Sequence, residues 1–149
     1  MSRNNDGKYL EDSVSKWYDN QNEAGIALIR LPDTRSARGI IKAQNADFLM
    51  SVVTHGALHL ECKSIGGKKF KLRNFRQYPT MLRWALAGTP GYVMAHFWEL
   101  QRLMLFNIDQ LGPLKGGGWD VSNVAGWGEK DDETGVARIM DRFVRGIRK

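Results

Sequence analysis

The sequence is poor in several residues from which active sites and small scaffolds are commonly built. One cysteine, Cys62, occurs in 149 residues. No disulfide can form within the chain, and a reducing, cytoplasmic setting is expected. The three histidines, His55, His59 and His96, lack a Cys or His partner at zinc spacing, so a structural zinc centre finds no support. His59 alone stands on a strand face that also carries charge. The glycine stretches "IGGKK" and "GGGW" lack the glycine-lysine-serine/threonine ending of a phosphate loop, and no nucleotide cofactor is expected. No local Ser-His-Asp or Cys-His arrangement suggests a covalent nucleophile. The longest apolar run, "YVMAHFW", is strand-sized and far short of a bilayer span. The first residues, "MSRNNDGKYLEDS", have no apolar signal core.

Positive charge is what the chain has in excess. Twenty-two Lys and Arg against sixteen Asp and Glu give a net charge of +6 and a pI near 9.6. That balance favours a polyanionic partner such as nucleic acid, with a merely solubilising surface as the bland alternative. The apolar fraction of 42% and charged fraction of 26% are those of an ordinary globular protein. The length predicts one domain.

Periodicity predicts a helix over residues 7–21, where Leu10, Val14 and Trp17 repeat on one stripe with Glu11 beside it. "AGIALIRLP" reads as a strand stopped by Pro32, and residues 33–45 as a basic arm. "ADFLMSVVT" and "ALHLECKS" read as two strands joined by "HG". A helix follows at "NFRQYPTMLRWALAG", then strands at "GYVMAHFWEL" and "QRLMLFNIDQL". The expected core runs from about residue 7 to 111. A glycine-rich linker, "GPLKGGGWD", and a helical tail complete the chain; Trp119 and Trp127 serve to pack that tail or to stack on bases. In the last helix Val136, Met140, Phe143 and Ile147 form an apolar stripe, beside a basic one of Arg138, Arg142, Arg145 and Lys149. The order of elements predicts a mixed α/β domain.

Three charged residues on the middle strands carry the candidate chemistry. In "ALHLECKS", alternation puts Leu58, Leu60 and Cys62 on one face and His59, Glu61 and Lys63 on the other. Asp47 heads the preceding strand. Two carboxylates suit hard, oxygen-preferring Mg²⁺, with Mn²⁺ as a substitute, and the carbonyl of Cys62 can add a ligand. The lysine can position a water or stabilise charge growing on a phosphate. The alternative is a solvated surface ion pair between Glu61 and Lys63. Basic residues flank these strands at Arg30, Arg35, Arg38 and Lys42, and again at Lys68, Lys69, Lys71, Arg73 and Arg76. Phosphate contact is the expected use of both clusters, with ordinary solvated charge as the alternative.

The order helix with Glu, strand, Asp on a strand, then Glu-x-Lys on the next resembles the core of the PD-(D/E)xK nucleases. "GKYLE", "ADFLM", "HLECKS" and above all "FKLRNF" resemble the RecU-like Holliday junction resolvases. The resemblance spans roughly residues 7 to 110, and nothing beyond Leu111 takes part in it. It implies a mixed central sheet flanked by helices. It also implies metal ligands at Asp47 and Glu61, a catalytic lysine at Lys63 and an assisting helix-borne carboxylate at Glu11. Three departures stand out: Ala46 replaces the usual proline, Tyr78 and Pro79 fall where a His-Gln pair is usual, and the arm at 33–45 is shorter than the family's stalk. Gln77 lies close enough to replace the missing glutamine at the DNA. The implied activity is symmetric nicking of four-way DNA by a homodimer, leaving 5′-phosphates. The alternatives are another nuclease on the same core (nickase, repair or restriction type) and a non-enzymatic nucleic-acid-binding module.

Overall fold

The computed structural model describes residues 8–32, 46–120 and 126–147. Eleven elements are used below. Helix α1 (Lys8–Asp19) precedes strands β1 (Ile26–Arg30), β2 (Phe48–Val52), β3 (Gly56–Ile65) and β4 (Lys69–Lys71). Helix α2 (Tyr78–Leu86) is followed by β5 (Gly91–Phe97), β6 (Arg102–Asn107), β7 (Gly118–Asp120), β8 (Trp127–Lys130) and α3 (Gly135–Ile147). The main sheet has six strands in the order β1-β2-β3-β5-β6-β8, while β4 and β7 pair as a separate ribbon. Every neighbour in the main sheet is antiparallel except β3 and β5. A parallel pair needs a crossover, here made by β4, a 3-10 turn at Leu72–Asn74 and α2.

Residue alternation divides the core into two layers. On one face Phe48, Met50, Leu58, Leu60, Cys62, Tyr92, Met94, Leu103 and Leu105 meet the stripes of α1 (Leu10, Val14, Trp17) and α3 (Val136, Ile139, Met140, Phe143, Val144). On the other, Val93, Ala95, Phe97 and Phe106 lie with Met81 of α2 and the aromatic side chains of the ribbon. β5 is covered on both faces along its whole length, which explains its unbroken apolar reading. Gly91 lets α2 approach closely: a Cβ there would lie 2.9 Å from Met81 Cε and 3.2 Å from Ile108 Cδ1. Truncating Phe143, fully buried and edge-on to both Tyr92 and Trp127, is worth about 3–5 kcal/mol on the usual scale for buried aromatics.

Beyond Leu111 the described residues are built into this architecture. Residues 112–120, expected to be a linker, supply β7, and Trp119 is buried against Phe70, Phe75 and Tyr78. Its indole N–H donates to the carbonyl of Gly112 at 3.0 Å. β8 pairs with the outer edge of β6, and α3 packs beside α1. Two arginines of the basic stripe are engaged within the chain: Arg138 pairs with Glu129 and Asp132, and Arg142 with Glu129.

Candidate active site

Asp47 and Glu61 meet at the point where β2 and β3 part. The β2–β3 register pairs Phe48 with Leu60, so the preceding Asp47 falls opposite Glu61, on the face away from α1. The backbone N–H of Asp47 donates to Glu61 Oε1 at 3.1 Å, and the N–H of Cys62 donates to Asp47 Oδ2 at 2.8 Å. Glu61 is 1% exposed and Asp47 8%. With Glu61 buried, its ion pair with Lys63 is not the solvated surface bridge that Glu-x-Lys alone allowed. Within a strand, a residue's N–H and C=O point to the same side. The carbonyl of Cys62 thus shares the side on which its N–H reaches Asp47, while its thiol lies in the core with α1.

Lys63 completes the group. Its ammonium lies 3.1 Å from Glu61 Oε2, donates to Gln77 Oε1 at 3.2 Å and sits 5.9 Å from the centre of the Phe75 ring. Gln77 immediately precedes α2. The helix start therefore anchors the lysine, a role that reading Gln77 as a DNA contact did not capture. Phe75 stacks on Phe70 and contacts Tyr78, which fixes the ring beneath the charge. The Phe-Arg-Gln run after "FKLRN" was the available signal, but only the fold shows Phe75 and Gln77 turned toward Lys63.

Burial and repulsion dominate the electrostatics. Burial pushes the Glu61 carboxyl well above its usual range; the hydrogen bond and charge of Asp47 add to this, and Lys63 opposes it. Glu11, on α1, is raised first by burial and then by Asp47, with Arg30 opposing. The Cys62 thiol is also pushed up, by burial and then by Asp47, Glu61 and Glu11. Carboxylates pressed together in a low-dielectric corner are the arrangement that a divalent cation relieves. Among the described residues no three His, Cys, Asp or Glu side chains form a ready metal cage. Two carboxylates and a carbonyl nevertheless match the partial protein shell that Mg²⁺ takes when water and substrate phosphate supply the rest.

The expected phosphate contacts are arranged unevenly. Arg35, Arg38 and Lys42 lie outside the described residues. Arg30 turns toward α1, donating to Glu11 Oε1 and Asp12 Oδ1, each at 3.3 Å. Lys68, Lys71, Arg73 and Arg76 are exposed on the ribbon and the approach to α2. Lys69 is exposed too, but donates to the carbonyl of Gly116 at 3.0 Å.

The histidines fall in three places. His59 shares the Glu61 face but is buried edge-on against Trp84, with Nδ1 unpartnered, and burial lowers its pKa. His55 lies in the β2–β3 turn, and His96 pairs with Asp131 at 2.9 Å on the opposite face. No side chain reaches from either to the carboxylate pair.

None of the described helices is long and apolar enough to cross a membrane. No family model and no curated protein sequence matches the chain. The likeness is structural. Hjc from Archaeoglobus fulgidus, described as a Holliday junction resolvase from an archaeal hyperthermophile, superposes with a TM-score of 0.51 at 15% sequence identity. The match covers 91% of this chain and 98% of that one. The chain thus shares the α/β fold of Hjc, with a mixed central sheet between helices and a helix at its C-terminal end.

Proposed function

We propose that the protein is a Mg²⁺-dependent, structure-specific endodeoxyribonuclease that resolves four-way DNA junctions by symmetric nicking. The observation that carries this reading is the meeting of Asp47, Glu61 and Lys63 at one corner of the sheet. The fold shared with Hjc supports it, as does the RecU-like "FKLRNF" segment, whose Phe75 lies under the lysine.

Asp47, Glu61 and the carbonyl of Cys62 would hold the cation, which supplies Lewis acidity to the phosphate and lowers the pKa of water. Lys63, pinned between Glu61 and Gln77, is placed to hold the attacking water or a non-bridging oxygen. The water oxygen bonds to phosphorus as the P–O3′ bond breaks, giving a 5′-phosphate and a 3′-hydroxyl. Lys71, Arg73 and Arg76, exposed on the segment that leads to Gln77, would grip backbone rather than read bases.

Paired cuts across a junction call for two sites related by a twofold axis, so the acting species is a homodimer. Support comes from the half of the sheet face that α2 leaves bare. Ile29, Leu49 and Val53 stand exposed there, beside Ala27, Ser51, Ala57 and the rim residue Trp84. No formal charge interrupts this row in a chain of net charge +6. A neutral apolar face suits a second copy better than DNA.

The test is cleavage of a synthetic mobile four-way junction beside duplex, flap and single-stranded DNA. Each is run with and without Mg²⁺, for wild type and Glu61→Gln. Metal-dependent symmetric nicks across the crossover, lost in the variant, are expected. Preference for linear duplex removes the resolvase reading, and metal-independent or absent cleavage removes the enzyme.

A further inference from the structure

Arg30 ends β1 with its side chain on the α1 face, in register with Phe48 and Leu60. Its guanidinium forks between Glu11 and Asp12, 3.3 Å from each. Both contacts are long for charge-assisted bonds, which usually run near 2.8 Å, and the arginine side chain is 44% exposed. It is also near the carboxylate group: Arg30 is paired with Phe48, the residue after Asp47, and the N–H of the next residue, Leu31, donates to the carbonyl of Asp47 at 2.8 Å. Lys63, held by Glu61 and Gln77, is committed elsewhere. Arg30 is thus a cation placed at the cluster by loose, solvent-facing contacts.

We infer that Arg30 is an exchangeable counter-ion: without DNA it neutralises Glu11 and opposes a divalent cation at Asp47 and Glu61, and an arriving phosphate draws it off and removes that opposition. This rests on the nuclease reading above and adds to it an order of events. A guanidinium binds carboxylate and phosphate with the same fork, so exchanging Glu11 and Asp12 for a DNA phosphate keeps its hydrogen bonds. Losing a positive charge beside Asp47 strengthens cation binding at Asp47 and Glu61. Metal and DNA then favour one another, and linkage makes the effect reciprocal. Metal uptake is suppressed until substrate is present.

The experiment measures Mn²⁺ binding by electron paramagnetic resonance, with no turnover involved, for wild type, Arg30→Gln and Arg30→Lys. Each is titrated alone and with a four-way junction whose central linkages resist hydrolysis. Without DNA, Arg30→Gln should bind Mn²⁺ about three- to tenfold more tightly than wild type, and Arg30→Lys, which keeps the charge, should stay within about twofold. The gain in Mn²⁺ affinity on adding the junction should be clear in wild type and smaller in Arg30→Gln. Unchanged or weaker Mn²⁺ binding by Arg30→Gln alone, or an undiminished gain with DNA, overturns the inference and leaves the nuclease intact. Glu61→Gln is the control for the site itself: if wild type takes up no Mn²⁺, or Glu61→Gln takes it up equally, the metal assignment fails and the inference fails with it.

Discussion

The backbone N–H of Asp47 donates to Oε1 of Glu61 at 3.1 Å, so the peptide of one acidic residue holds the side chain of the other. Position is secured in this way, while charge repulsion would be relieved by the proposed cation. Opposite effects on activity and on metal-free stability follow. Glu61→Gln keeps an oxygen for the Asp47 N–H and removes a buried charge. A carboxyl whose folded pKa is raised is tolerated best when protonated, so the wild-type cost is greatest at alkaline pH. At pH 8 in EDTA the variant should melt higher, by roughly 2–4 °C for each kcal/mol gained, while Mg²⁺-dependent nicking falls on the order of 10²-fold or more. Thermal melts and single-turnover cleavage measure the two together. A variant that loses both stability and activity would show the glutamate to be structural.

Gln77→Ala removes one of the two polar partners of Lys63. The lysine remains near Glu61 but is less well placed, so kcat is expected to drop about tenfold while KM for junction DNA changes little. A rise in KM with unchanged kcat would instead return Gln77 to the role of DNA contact.

Leu49→Glu tests the bare sheet face. The side chain is exposed in the protomer, so folding should tolerate the change to within about 0.5 kcal/mol. In a dimer the new charges would face one another without partners. Light scattering should show the wild type as a dimer and Leu49→Glu as a monomer, and junction nicks should become unpaired. A variant that remains dimeric places the interface elsewhere.

Acid should loosen the C-terminal layer first. Glu129 on β8 pairs with Arg138 and Arg142 of α3. Its pKa is lowered, chiefly by the hydrogen bond from Arg138. A depressed carboxyl contributes fully above its unfolded value, near 4.5, and loses that contribution as pH falls through the folded value. Melting temperature should therefore fall more steeply below pH 4.5 in wild type than in Glu129→Gln, as followed by circular dichroism from pH 6 to 3. Parallel profiles would count against the ion pair.

The sequence carried the site better than its surroundings. Strict alternation in "ALHLECKS" put Glu61 and Lys63 on one face, and the short turn at His55 and Gly56 returned Asp47 to the same corner. Contacts distant in sequence were a different matter. β8 is four residues with no apolar period, and its place beside β6 depends on a pairing across more than twenty residues. "GPLKGGGWD" looked like a linker because glycine marks both loops and tight approaches. Gly118 belongs to the second kind, since a Cβ there would lie 2.6 Å from the Phe70 carbonyl. The fork of Arg30 onto Glu11 and Asp12 was hidden because those partners lie nineteen and eighteen positions away. The burial of His59 could not be read from its strand, because Trp84, which shields it, arrives on a different element.

The row Ile29–Leu49–His59 and the step Asp47–Glu61 belong to one hydrogen-bonded lattice, two residues apart along β2 and β3. That offset is roughly 7 Å. In the proposed dimer, joined through the first row, the separation of the two incisions would be set by paired strands rather than by a loop. A surface insertion would leave the spacing of the products untouched, whereas a two-residue slip of β2 against β3 would move the scissile positions and dismantle the acidic pair in the same motion.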